Sequence, residues 1–207
     1  MKDTYLVTFN NENKILVTVA NKCGSSSVIT ILGYPFLGSF KFRKDTRKIP
    51  TKNWASSQIV KLSKDQIFSF TTRVAIIRDP VERFVSAYKD RVLQRNKDHI
   101  KQTVKSFTQF VNEYETIILN YRDIRNHTRS LITSYGSDPS IYTEIILTKN
   151  IGDKFIPLVE NVSLTENIPN VFYKNSFAVE SFNIRKDEVD KIKNLYKEDY
   201  RVYGNYF

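Results

Sequence analysis

Two short apolar runs, each ending abruptly in a polar turn, constrain this chain more than any other feature. The first, Ile15-Leu16-Val17-Thr18-Val19-Ala20, is short and rich in β-branched residues, so it reads as a buried strand. It runs into Asn21-Lys22-Cys23-Gly24-Ser25-Ser26-Ser27-Val28, a small, polar segment without carboxylates and with one lysine near its head. Such a segment lets backbone N–H groups approach an anion closely, and a helix starting there adds its positive end. The second run, Arg73-Val74-Ala75-Ile76-Ile77, stops at Arg78-Asp79-Pro80. Pro80 suits the first turn of a helix with Asp79 as N-cap, and Phe84, Ala87, Tyr88 and Arg91 continue at helical spacing to about Leu93.

The remaining pattern alternates strands with helices. Tyr5–Phe9 reads as an edge strand. Val28-Ile29-Thr30-Ile31-Leu32 is open between a strand, by β-branched propensity, and a helix capped by the serines; Gly33, Pro35 and Gly38 then break the chain. Residues 39–65 read as loop. Phe107, Phe110, Val111, Tyr114, Ile117 and Ile118 mark an amphipathic helix, Tyr142–Leu147 a third strand, Ile151–Val159 a helix, and Lys186–Tyr200 a last helix. The expected fold is α/β: one domain over residues 1–207, with a mainly parallel central sheet flanked by helices. Ligands in such folds sit beyond the carboxyl ends of the strands, where both the Lys22 and the Arg78 turns fall.

Charge and cysteine usage narrow the partners. A formal charge of +10 over 207 residues implies an anionic partner: a nucleotide, nucleic acid, polyanionic sugar or membrane surface. Lys41, Arg43, Lys44, Arg47 and Lys48 form the densest basic group, a run more often solvated surface than site. The single cysteine, Cys23, excludes an internal disulfide framework and a multi-cysteine zinc site and fits a reducing, cytoplasmic setting. Met1–Asn10 lack a signal-peptide core, and no apolar run is long enough to span a bilayer, so a soluble protein is expected. The Lys/Asn/Ile-rich composition favours a bacterial or viral source.

In Arg78-Asp79-Pro80-Val81-Glu82-Arg83-Phe84-Val85-Ser86-Ala87-Tyr88, a sharp bend at Asp79-Pro80 can turn Arg78 and Ser86 toward one phosphate. Arginine offers a forked, permanently charged donor set and serine a short hydroxyl. The pair formed by this segment and the Lys22 loop resembles the sulfotransferase superfamily, most closely its carbohydrate (Golgi-type, family 2) members and their bacterial relatives. Tyr196-Lys197-Glu198-Asp199-Tyr200-Arg201-Val202-Tyr203-Gly204 is similar to that family's closing Tyr-x-x-Asp-Tyr pattern. One departure is Asn21, where the family commonly has proline before the loop lysine.

The resemblance implies a P-loop-NTPase-like sulfotransferase fold and transfer of a sulfuryl group from 3′-phosphoadenosine-5′-phosphosulfate (PAPS) to an acceptor hydroxyl, with a saccharide favoured. It places Lys22 beside the bridging oxygen of the donor and gives the 5′-phosphate to Lys22, Cys23, Gly24, Ser25, Ser26 and Ser27. Arg78 and Ser86 take the 3′-phosphate, and no metal is required. His127, in Arg125-Asn126-His127-Thr128-Arg129-Ser130, resembles the family's Asn-x-His-x-x-x-Gln region and is the favoured general base. Glu82 and Glu113 stand behind it; His99 reads as solvent-facing.

Other readings remain open. A kinase with an atypical phosphate loop would bind a nucleoside triphosphate with magnesium, but a Walker loop has its lysine after the second glycine, whereas Lys22 precedes Gly24. A basic nucleic-acid-binding domain would need a basic aromatic face, which the polar strand ends do not suggest. Arg83 is open between pairing with Glu82 or Asp79 and lining the acceptor cleft. Trp54 packs or stacks on adenine; Arg122, Arg125 and Arg129 are surface charge or face an anionic acceptor. Asp199 and Tyr200 read as locking the last helix to the core, and Cys23 as a small loop residue rather than a nucleophile.

Overall fold

The computed structural model describes residues 4–9, 13–37, 58, 62–95, 100–170 and 183–207. The basic group Lys41–Lys48, Trp54 and His99 lie outside the described residues, as does most of the 39–65 segment. Two compact units emerge, Met1–Ile77 with Ser134–Lys174, and Arg78–Thr133 with Asn175–Phe207.

The first unit carries the sheet. Among the described residues it has strands β1 (Thr4–Phe9), β2 (Asn13–Val19), β3 (Thr72–Ile77) and β4 (Glu144–Leu147), in the order β1-β2-β3-β4. The edge strand β1 is antiparallel to β2, with Thr4 opposite Thr18. Strands β2 and β3 are parallel, Ile15 opposite Thr72 and Val19 opposite Ile76, and so are β3 and β4, Val74 opposite Glu144. Ile15–Ala20 and Val74–Ile77 are buried without alternation, as central strands covered on both faces must be. Each buried Ile, Leu or Val among them contributes about 1.5–3 kcal/mol by leaving water. Helix α1 (Ser25–Leu37) packs on helix Ile156–Ser163, which in turn packs on β2. The fold is therefore α/β with a mostly parallel sheet flanked by helices.

Val28–Leu32 resolves as helix, and α1 runs on through Gly33 and Pro35 to Leu37 instead of breaking at them. Burial of Val28, Ile31 and Leu32 along one face outweighs β-branched propensity and the one backbone bond that Pro35 forfeits. The Thr30 hydroxyl is satisfied inside the helix, donating to the Ser26 carbonyl at 2.9 Å. Short helix α2 (Lys64–Phe68) opens with a capping box between Ser63 and Gln66.

The second unit is helical. Helix α3 (Pro80–Tyr88) continues as a π-helical turn, Lys89–Gln94, which brings Asp90 and Val92 into the interior. The single helices expected around residues 107–118 and 186–200 are each bent. Glu113 separates Phe107–Asn112 from Tyr114–Asn120, and Tyr196 separates Lys186–Leu195 from Lys197–Tyr203. The bends suit an aromatic core in which Phe84 has Phe110 at 5.0 Å, Tyr114 at 5.2 Å and Tyr196 at 6.3 Å between ring centroids.

Asp199 and Tyr200 tie the closing segment down. The Asp199 carboxylate, 1% exposed, accepts the N–H groups of Leu131 at 2.7 Å and Ile132 at 3.0 Å, capping helix Leu131–Tyr135. Burial pushes its pKa up, against the pull of those two donors and of Arg83. Tyr200 donates to Asp79 Oδ2 at 2.8 Å, while Asp79 Oδ1 accepts the Glu82 N–H at 3.0 Å and caps α3. Replacing Asp199 by alanine leaves two shielded N–H donors unmet, so Asp199→Ala is expected to cost about 3 kcal/mol. The urea unfolding midpoint reads this directly; a loss below about 1 kcal/mol would mean that water replaces the carboxylate there. Among the described residues no helix is long and apolar enough to cross a membrane.

Candidate active site

The Lys22 loop belongs to the first unit and follows directly from the end of β2. The Cys23 N–H donates to the Ala20 carbonyl at 3.1 Å, closing a turn, and the Val28 N–H donates to the Gly24 carbonyl at 3.0 Å, opening α1. Lys22 (φ +67°) and Gly24 (φ +79°) both adopt left-handed backbone. Gly24 does so freely, whereas Lys22 pays on the order of 1 kcal/mol, the kind of strain that collects at functional positions. The first turn of α1 carries no acidic residue, and Ser25 and Ser26 stay partly exposed. Cys23 turns inward: its thiol is buried and its N–H is used by the turn.

The floor under this loop comes from the far side of the sequence. A Cβ on Gly24 would lie 2.9 Å from Ile151 Cδ1 and 3.3 Å from Thr148 Cγ2. Thr148 itself donates from Oγ1 to the Ile77 carbonyl at 3.0 Å. The Tyr135 hydroxyl accepts the Ala20 N–H at 2.7 Å and donates to the Ile76 carbonyl. None of these three supports sits in a recognisable motif. Gly24→Ala combines a disallowed φ with a crowded site, so a loss of about 2 kcal/mol is expected in thermal or urea unfolding. An unchanged midpoint would show that the loop can refold around a side chain.

Arg78, Ser86 and His127 belong to the second unit. Arg78 follows β3 directly, and its Nε donates to Glu82 Oε2 at 3.1 Å, one turn into α3. Glu82 is well exposed, so this pair is weak. Ser86 lies in the second turn of α3, partly exposed. Arg83 turns inward. It is 1% exposed, sits over the Tyr196 ring at 5.8 Å and donates to the Arg129 carbonyl, so it belongs to the interior of the unit.

His127 closes helix Arg122–His127 and is 11% exposed. Its Nδ1 is 2.7 Å from the Asp123 carbonyl oxygen, to which it donates, leaving Nε2 as the basic nitrogen. The Arg91 guanidinium contacts Nε2 and also lies 3.4 Å from Asp90 Oδ2 and 3.4 Å from Asp123 Oδ2. Burial lowers the Arg91 pKa, and the two carboxylates act against that. Among the other candidates, Glu113 accepts from Gln109 Nε2 at 3.1 Å. Arg122 and Arg125 are exposed, and Arg129 donates to Asn126 Oδ1 at 2.6 Å. Among the described residues no three His, Cys, Asp or Glu gather closely enough to hold a metal ion.

A family model described as the sulfotransferase family matches residues 6–155, a span that holds both strand-end turns and His127. No curated protein and no solved structure matches the chain. The match covers most of the sequence, and with the lysine-headed loop, the Arg78 turn and the parallel sheet behind them it leads to one conclusion: the chain belongs to the sulfotransferase family.

Proposed function

We propose that this enzyme moves the sulfuryl group of PAPS to the hydroxyl of an acceptor, with a saccharide favoured. The observation that carries the reading is the Lys22 loop: left-handed backbone at Lys22 and Gly24 leads into a helix whose first turn lacks carboxylates. That arrangement suits a phosphosulfate and would repel no part of it. In the reaction the acceptor oxygen forms a bond to sulfur and the bond from sulfur to the bridging phosphate oxygen breaks. The hydroxyl proton passes to a base, and 3′-phosphoadenosine-5′-phosphate departs.

Lys22 neutralises the charge that grows on the bridging oxygen, an interaction stronger in the transition state than before it. Backbone N–H groups of Gly24–Ser27 and the Ser25 and Ser26 hydroxyls hold the 5′-phosphate. Arg78 and Ser86 hold the 3′-phosphate, with Arg78 exchanging Glu82 for it. His127 serves as base through Nε2, after the Arg91 guanidinium gives way to the acceptor hydroxyl.

The test is a comparison of two nucleotides. We expect 3′-phosphoadenosine-5′-phosphate to raise the melting temperature by several degrees and adenosine 5′-phosphate to raise it weakly. Equal stabilisation by the two would sink the assignment of the Arg78 turn. Tight binding of ATP with magnesium, or of oligonucleotides with a steep salt dependence, would instead favour a kinase or a nucleic-acid-binding protein.

A further inference from the structure

We infer that Tyr135 is a positioning residue for the sulfuryl-transfer loop, a reading that rests on the function proposed above. Its ring is fully buried, and its hydroxyl stands between two parallel strands at the point where they end. On one side it accepts the N–H of Ala20, the residue after β2; on the other it donates to the carbonyl of Ile76 in β3. Val19 and Ile76 are the last opposed pair of these strands. One side-chain oxygen therefore bridges them just beyond their final pairing.

This matters because Ala20 is the hinge of the loop. With its N–H held by Tyr135, its carbonyl takes the Cys23 N–H, and that bond closes the turn in which Lys22 is forced to φ +67°. The strain at Lys22 has to be held from outside, and the Tyr135 hydroxyl is the group that anchors the turn at its root. Tyr135 is itself fixed. Tyr142, packed edge-on at 6.3 Å, donates to the Tyr135 carbonyl at 3.0 Å. The Tyr142 pKa is pushed up to about 12, chiefly by burial, so Tyr142 stays a donor throughout the neutral range.

A buried tyrosine with a satisfied hydroxyl is commonly structural, so the test needs a readout that stability alone would not move. Tyr135→Phe keeps the ring and removes the bridge; Tyr142→Phe removes the hydroxyl bonds to the Tyr135 carbonyl and to Thr18 of β2 but leaves the bridge itself in place. We expect Tyr135→Phe to weaken binding of 3′-phosphoadenosine-5′-phosphate about tenfold by calorimetry, and Tyr142→Phe less than twofold, at comparable losses in melting temperature. Equal effects of the two variants on affinity would overturn the inference.

Amide hydrogen exchange gives a readout that needs no nucleotide. In the wild type the Ala20 amide should be protected like that of Val17, and in Tyr135→Phe the Ala20 and Cys23 amides should exchange at least tenfold faster relative to Val17. Wild-type exchange at Ala20 as fast as in an open turn overturns the inference even if the variant fails to fold. Unchanged protection in a folded variant does the same. If the wild type binds no 3′-phosphoadenosine-5′-phosphate, the proposed function falls, while the exchange experiment still decides what Tyr135 does.

Discussion

Lys22→Gly is expected to make the protein more stable and nearly inactive. Glycine relieves the left-handed backbone at φ +67° and should gain about 1 kcal/mol in urea unfolding. It also removes the ammonium that the proposed reaction sets against the charge on the departing phosphate oxygen. Loss of one such transition-state contact costs on the order of a hundred- to a thousandfold in kcat. Affinity for 3′-phosphoadenosine-5′-phosphate should fall only a few-fold, because the backbone donors and the Arg78 turn remain. Lys22→Ala should lose turnover equally and gain less stability, since alanine keeps much of the strain. Activity within tenfold of wild type in either variant would remove Lys22 from the chemistry.

Arg78→Ala is expected to abolish the preference for a 3′-phosphorylated nucleotide. A charged, forked hydrogen bond to phosphate contributes about 1.5–3 kcal/mol, so affinity for 3′-phosphoadenosine-5′-phosphate should drop about tenfold to a hundredfold. Adenosine 5′-phosphate, which lacks that group, should bind the variant and the wild type alike. Loss of the Arg78–Glu82 pair at 3.1 Å adds little cost in stability, because its Glu82 side is exposed and screened. Glu82→Gln supplies the converse: with its competitor neutralised, Arg78 should bind the 3′-phosphate a few-fold more tightly. A parallel loss for both nucleotides in Arg78→Ala would assign the arginine to the shared part of the ligand.

Much of this was readable from residue order. The two buried runs became β2 and β3, the Asp79 cap and Pro80 opened α3, and the anion-friendly segment after Ala20 began a helix. These are local effects, set within a few residues by β-branching, capping and glycine. What escaped the sequence depends on distance. Val28–Leu32 could not be assigned by propensity, because burial against Ile156–Ser163 decides it. The bends at Glu113 and Tyr196 preserve a helical apolar period on both sides, so the pattern shows no break.

The site divides the same way. Lys22, Gly24 and Arg78 announce themselves through local chemistry, whereas Tyr135, Thr148 and Ile151 approach the loop or the strand ends from residues far along the chain. Arg83 is open in the sequence between a local ion pair and the acceptor cleft, because the Tyr196 ring and the Arg129 carbonyl that make its burial tolerable come from distant residues. His127 stands out by residue type and by the likeness of its segment to the family's; that Arg91 covers its basic nitrogen could not be seen from its neighbours in sequence.

The bond from Tyr200 to Asp79 has a consequence for how the chain is made. Synthesis delivers the Arg78-Asp79-Pro80 turn first, and the phenol that pins its cap follows only 121 residues later, next to the carboxylate of Asp199. Because the second unit joins Arg78–Thr133 to Asn175–Phe207, it cannot close until both segments have been made. The Arg78 turn is thus made well before the contacts that hold its cap in place.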